Sequence, residues 1–413
     1  MPSFPALFRI ETLSHLRGIT MKKTFIQFAL LVAAVVGASF VSTRLWGGKP
    51  EGGAETQPLI LEETMTVGQF ANRNELPPPL TKKIFGLQSP QDKQKLVTSF
   101  GMSSTEILSK AEGLLAIRAE HGSKNWAKIV VKFSLWLVFL TAVLVLMRKG
   151  RVTARLRKGL LLAAVVLFGV ILGSDPSPMG TVKDAIVLFG AKGVIFPPRL
   201  IAFGAFLLLV IVANKFICSW GCQLGTLQDL IFRLNRDKDD RKGLFRQFKV
   251  PFALSNSVRI AFFAALTTVA FVWATDIVEG IDPFKIFKPK VLGLAGIVFA
   301  GAILVLSLFT YRPWCHFFCP FGLAGWAAEK ISLFKIHVDY DKCIACGTCE
   351  KACPSTVMGA ILKRDRVIPD CFACAVCIES CPAQAIAFKT GRRAKPPEGK
   401  FDTKRTEPDS ASS

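Results

Sequence analysis

Two stretches near the carboxyl end decide how this chain is read. The first is Cys343-Ile-Ala-Cys346-Gly-Thr-Cys349-Glu-Lys-Ala-Cys353-Pro354. The second is Cys371-Phe-Ala-Cys374-Ala-Val-Cys377-Ile-Glu-Ser-Cys381-Pro382. Both follow C-x2-C-x2-C-x3-C-P, an internal repeat that uses eight of the chain's twelve cysteines. Structural zinc usually shows two separated C-x2-C pairs rather than a triplet with a displaced fourth thiol. Disulfides would not persist in a reducing compartment.

The spacing is that of bacterial two-cluster iron–sulfur domains, in which the fourth cysteine of each run ligates the cluster of the other. Three closely spaced thiolates grip three irons of a cubane, and the fourth reaches across to its neighbour. Cys343, Cys346, Cys349 and Cys381 are therefore expected to hold one [4Fe–4S] cluster. Cys371, Cys374, Cys377 and Cys353 are expected to hold the other. Small residues between the ligands (Ala345, Gly347, Ala373, Ala375) let the backbone approach the sulfides. Interlocked clusters whose irons all carry protein ligands relay electrons and leave no open site, so no catalytic residue is predicted.

Upstream the composition changes. The chain has 413 residues, 51% of them hydrophobic, with a mean hydropathy of +0.40. Crossing a bilayer takes an apolar helix of about 18 or more residues. Six runs are predicted as spans, at roughly 24–42, 128–147, 159–175, 200–217, 259–277 and 291–311. The net charge of +22 invites a nucleic-acid reading, but its distribution opposes one. Six positives, Arg148, Lys149, Arg151, Arg155, Arg157 and Lys158, crowd one short loop, and eight more run from Arg233 to Arg259. The segment from Arg44 to Lys124 holds ten basic and nine acidic residues. Lys and Arg gather in cytoplasmic loops. The expected protein is thus multi-pass in a bacterial inner membrane, with both termini and the cysteine-rich unit cytoplasmic, residues 44–126 periplasmic, and no nucleic-acid partner.

The predicted fold class is an α-helical integral membrane protein of about six transmembrane helices with a carboxyl-terminal α+β two-cluster ferredoxin-like domain. Residues 1–43 form an amino-terminal segment and signal anchor. Met21-Lys22-Lys23 and the following apolar run resemble a signal sequence, and Met1 and Met21 both stand as candidate starts. Ala38-Ser39-Phe40 is a poor cleavage site, so a retained anchor is expected. The stretch GGKPEGGAETQP reads as a flexible linker. Residues 44–126 are a small helical domain in which Ser103 and Glu106 fit a capping box. Ile107, Leu108, Ala111, Leu114 and Leu115 give that helix one apolar face. The domain has no cysteine, so docking or spacing is its expected role. Residues 127–335 are the transmembrane core, 336–388 the ferredoxin domain, and 389–413 a charged, Pro-rich tail expected to be disordered.

Four cysteines remain, Cys218 and Cys222 in FICSWGCQLG and Cys315 and Cys319 in RPWCHFFCPFG. Each C-x3-C pair follows an outside-to-inside span, and residues four apart share one face of a helix. A multi-span core with two such motifs ahead of a two-cluster domain resembles the membrane polyferredoxin family of the NapH and NosR type, over roughly residues 155–388. Cys315 to Pro320 match that family's C-x3-C-P, while Gln223 stands at the proline position of the first motif. No Ser/Thr-Gly-Ala-Ser/Thr flavin-attachment stretch is present. The resemblance implies electron transfer between the quinone pool, cytoplasmic clusters and a periplasmic or membrane redox partner. Trp314, Phe317 and Phe318 are expected in an interfacial belt where a quinone could arrive.

For Cys218, Cys222, Cys315 and Cys319 three readings stay open: a redox role as cluster ligands or a thiol couple, a further centre for a soft metal such as Cu(I), or simple burial. Two other functions stay open beside the relay: an oxidase or metalloenzyme assembly or copper-reducing factor, and a membrane redox sensor. No histidine lies in any predicted span, which excludes paired-histidine haem. The lack of C-x2-C-H excludes covalent haem, and the lack of G-x-G-x-x-G opposes nicotinamide binding.

Overall fold

The computed structural model describes residues 5–45 and 59–401. The predicted linker and the last part of the predicted tail lie outside them. A continuous helix, Pro5–Leu45, carries the anchor. Among the described residues three helices are long and apolar enough to cross a membrane: Gly18–Leu45, Trp126–Arg148 and Phe252–Trp273.

Six spans were expected. The third run is an α-helix over Ala154–Ala164 that continues as a wider π turn over Val165–Ile171. The fourth and sixth are the shorter apolar helices Pro197–Ala213 and Leu294–Leu306. Each is followed by a cysteine motif. Asn214, the C-cap of the first, leaves helical geometry at φ 64°, while the second ends at Leu306 and Arg312, at φ 46°, caps the start of the next short helix.

Each interruption repeats one design. An apolar helix ends, a five-residue helix follows (Phe216–Trp220 or Pro313–Phe317), and a third helix begins just after the second cysteine (Gln223–Leu234 or Pro320–Ala328). The two cysteines of a pair therefore straddle a helix break instead of sharing one helix face as expected. The break is local: Cys222 and Cys319 are the N-cap residues, at φ −72°, ψ 116° and φ −68°, ψ 115°. Pro320 occupies the first helical position, where its fixed φ is pre-organised. Gln223 takes the same position with the same preceding backbone, held by its side-chain amide donating to Ser174 O.

The cysteine-rich unit is bounded by an antiparallel pair of strands, β1 (Phe334–Val338) and β2 (Ile386–Thr390), registered Phe334 to Thr390 and Val338 to Ile386. Its core is continuous with that of the membrane helices. Residues 59–123 keep a separate core around Val67, Phe70, Ile84 and Ile107. Ser103 caps the helix Ser104–Ser123 by accepting from Glu106 N, and Ile107 and Ala111 face inward as the sequence pattern requires.

Candidate iron–sulfur and membrane cysteine sites

The eight cysteines of the repeat fall into two sets of four. One cavity is lined by Cys343, Cys346, Cys349 and Cys381. A second is lined by Cys353, Cys371, Cys374 and Cys377. Each run thus contributes three thiols to its own cavity and one to the other.

The two loops match residue for residue in backbone. Ala345 and Ala373, two positions after the first cysteine, have φ 53° and 48°. Gly347 and Ala375, four positions after it, have φ 70° and 64°. Non-glycine residues enter this region at a cost of about 1–2 kcal/mol each, so the curl is imposed by what surrounds it. The curl aims amide groups inward: the Ala373 N–H reaches the Cys371 sulfur, and the Ser355 and Met358 N–H groups reach that of Cys353. Amide donors of this kind tune iron–sulfur centres, and the residues present fit such a group. Burial pushes the Cys349 and Cys371 thiols up to about 12. Ligation must therefore displace protons.

The two sets differ in setting. Cys346 is exposed beside Ile344, itself 67% exposed. The second set is buried against the membrane helices. Trp220 Nε1 donates to Ala373 O at 3.2 Å, and Phe372 lies edge-on to Tyr311 and His316 at 5.8 and 5.3 Å. The Arg312 guanidinium stacks 5.0 Å from the Phe372 ring.

Cys218, Cys222, Cys315 and Cys319 are all buried. Arg312 Nη1 donates to Cys218 O at 2.6 Å, and the Cys315 thiol donates to Gln228 Oε1 at 3.7 Å. Trp314, expected in an interfacial belt, is instead fully buried. It packs against Phe262, Phe299 and Phe318, because the short helix carrying it turns inward after Arg312.

Around these thiols and the Cys371 loop lies a set of buried ion pairs that the sequence reading missed. Lys215 and Arg259 both reach Asp370. Arg312 and Arg233 reach Asp229. Arg157, Arg233 and Arg236 converge on Asp240. Burial favours the neutral acid at Asp370, but the Lys215 and Arg259 charges outweigh it and hold the carboxyl at about 2. Burial also lowers His316 to about 4, leaving a neutral imidazole. Six cations answer to three aspartates, with half-buried Glu379 on Arg157 the further partner. Arg157 also donates Nε to Cys374 O at 2.8 Å, so one member of the basic loop holds the second cysteine set.

The signal was present in the sequence. Lys215-x2-Cys218-x3-Cys222-x2-Gly225 and Arg312-x2-Cys315-x3-Cys319-x2-Gly322 form a second internal repeat, with a cation inside an apolar run. A Cβ added at Gly225 would sit 2.6 Å from Cys218 O, and one at Gly322 would sit 2.9 Å from Cys315 O. Both positions require glycine.

The chain carries 4Fe-4S binding domains and shows distant homology to membrane polyferredoxins. A 4Fe-4S binding domain family matches residues 335–361, and another 4Fe-4S binding domain family matches 195–242 and 292–338. The chain is distantly homologous to the regulatory protein NosR of Pseudomonas aeruginosa, at 27% identity over 68% of this chain and 43% of NosR. It is likewise similar to YccM, a candidate electron transport protein of Escherichia coli, at 28% identity over 37% of this chain and 45% of that protein. Protein NirI of Paracoccus denitrificans is 26% identical over 54% of this chain and 34% of its own length. The chain thus spans less than half the length of these three relatives. No solved structure matches it.

Proposed function

We propose that this chain is an inner-membrane electron-transfer protein that relays electrons between the quinone pool and a membrane or periplasmic redox partner. Cys343, Cys346, Cys349 and Cys381 would hold one [4Fe–4S] cluster, and Cys371, Cys374, Cys377 and Cys353 the other. When bound, such clusters supply one-electron carriers. The observation that carries the reading is the docking of the Asp370–Ala373 loop, which bears Cys371, on both C-x3-C segments, through Lys215 and Trp220 of the first and Arg312 and His316 of the second.

The residues assign an order. Phe372 packs against Tyr311, His316 and the Arg312 guanidinium beside the second C-x3-C motif, and the exposed Ile344 and Cys346 edge would meet a partner. Lys215 and Arg259 fix the loop through Asp370, and Trp314 and Tyr311 are buried beside it. In this reading the shorter apolar helices complete a bundle of about six spans, with both termini and the ferredoxin unit cytoplasmic.

Anaerobically purified protein should contain iron and acid-labile sulfide, and menaquinol should reduce its clusters or be produced by their oxidation. Zinc without sulfide would overturn the cluster assignment. Replacing Cys353 with Ala should damage the centre otherwise held by Cys371, Cys374 and Cys377. The EPR of the centre at Cys343, Cys346, Cys349 and Cys381 should survive. Loss of that nearer centre instead would refute the interlocked pairing.

A further inference from the structure

We propose that the cavity between the first helix, the basic 236–249 segment and the ferredoxin unit binds the phosphate headgroup of an anionic membrane phospholipid. The inference stands apart from the proposed relay and needs only that the chain lies in a membrane.

The first ground is charge. The cavity has a volume of about 760 Å³ and is lined by six cations, Arg236, Arg241, Lys242, Arg246, Lys249 and Lys351. Among the described residues no Asp or Glu lines it. Of the six, only Arg236 forms a salt bridge among the described residues, and its partner Asp240 is shared with Arg157 and Arg233. Arg236 is buried, and its Nε lies 3.0 Å from Asp240 Oδ1 without reaching hydrogen-bond geometry. The neighbouring carboxylates are engaged elsewhere. Asp237 Oδ1 accepts from Arg241 N at 2.7 Å, and Glu350 lies against Gly359, where an added Cβ would meet its Oε1 at 2.6 Å. Like charges gathered in one hollow repel, and phosphate oxygens are strong acceptors for guanidinium and ammonium donors.

The second ground is that the wall is built by the fold. Asn235 Oδ1 accepts from Phe245 N at 3.0 Å, and its Nδ2 donates to Leu308 O at 2.9 Å. Gln247 Nε2 donates to Phe232 O at 3.2 Å, and Phe248 N donates to Phe309 O at 2.8 Å. A Cβ added at Gly243 would sit 2.7 Å from Phe245 O, so the turn requires glycine. Two buried or half-buried amides are spent on pinning this segment, and the cations stand on it in fixed order.

The third ground is position, which selects the source of the phosphate. Met21 lines the cavity at the start of the span Gly18–Leu45, and Phe25, one turn on, stacks on Phe245 at 6.2 Å. Met21, Leu244 and Phe248 are 42, 41 and 47% exposed on the same cavity. Cations beside exposed apolar side chains at the end of a membrane helix match a phospholipid, with phosphate on the former and acyl chains along the latter. A soluble phosphate would leave that apolar rim in water. Basic pockets beside membrane helices recognise anionic headgroups in this way. Lys351 belongs to the ferredoxin unit, so a lipid held here would tie that unit to the membrane surface.

The test is thermal unfolding of the full-length, anaerobically purified protein, delipidated in neutral detergent and titrated with short-chain phosphatidylglycerol. Short-chain phosphatidylcholine and inorganic pyrophosphate, at matched ionic strength, form the other arms. Phosphatidylglycerol should raise the midpoint saturably, and the other two should not. R241Q/K242Q/R246Q should need on the order of 100-fold more phosphatidylglycerol for half the effect. K149Q/R151Q/R155Q, which removes as many exposed positives from another loop, should respond as wild type. Equal protection by pyrophosphate would overturn the lipid assignment in favour of a soluble phosphate. No protection by phosphatidylglycerol, a wild-type response from R241Q/K242Q/R246Q, or an equal loss in both triple variants would overturn the site. Should R241Q/K242Q/R246Q fail to fold, native mass spectra of wild type decide. Retention of added phosphatidylglycerol over phosphatidylcholine upholds the inference, and equal retention or none overturns it.

Discussion

At the scale of single residues, the buried charges are the most informative part of the molecule. Asp370 is fully buried between Lys215 and Arg259. Removing one member of such a group strands the others, at about 3–5 kcal/mol. Asp370→Asn should therefore lower the thermal unfolding midpoint of the cluster-loaded protein and release the Cys371 loop from the core. An unchanged melt would mean that the pairs add nothing to docking. The grouping of the eight cysteines into two sets was legible in their C-x2-C-x2-C-x3-C-P spacing. Ala345, Ala373 and Ala375 were legible as small residues. Their left-handed backbone was not, since alanine rarely adopts it without outside constraint. Arg157 was read as one more loop positive. Its burial depends on Asp240, Glu379 and Cys374, which lie far away in sequence, so composition alone could not reveal it.

At the scale of elements, the two cysteine motifs are one structural unit used twice. Apolar run length located all six hydrophobic segments, but it overestimated the helices at 197–213 and 294–306. The first break falls at Asn214, with no proline or glycine to mark it, while the second motif opens on Arg312-Pro313. The Gln-for-Pro difference between the motifs proves conformationally neutral, because the backbones of Cys222 and Cys319 agree to within a few degrees. This equivalence makes a paired prediction. Gly225→Ala and Gly322→Ala each drive a Cβ into the carbonyl of the first cysteine of their motif, and overpacking of this kind costs about 1–3 kcal/mol. Both substitutions should lower the melting midpoint by similar amounts. A large effect at one glycine and none at the other would show that the halves are not equivalent.

At the scale of the whole molecule, contacts along the long helices sort the chain into two ends. Phe25 stacks on Phe245 at 6.2 Å, while Ser42 Oγ donates to Ile171 O at 3.2 Å. The helix Pro5–Leu45 therefore runs from the basic 233–249 segment to the far end of the third apolar run. The ferredoxin unit shares the first end: Lys249 Nζ donates to Glu350 O at 2.6 Å, and Arg236 Nη2 donates to Ala352 O at 2.9 Å. The unit of residues 59–123 is tied to the second end, through Glu112 to Lys192 at 3.1 Å and Glu120 to Arg199 at 2.6 Å. The exposed positives of 148–158 and 238–249 on the first end support the proposed cytoplasmic placement of that end. Alkaline phosphatase fused after residue 90 should then be active, and the same reporter fused at the carboxyl terminus should be silent. Activity at the carboxyl terminus, or silence at 90, would invert the orientation and place the exposed Ile344 and Cys346 edge on the periplasmic side.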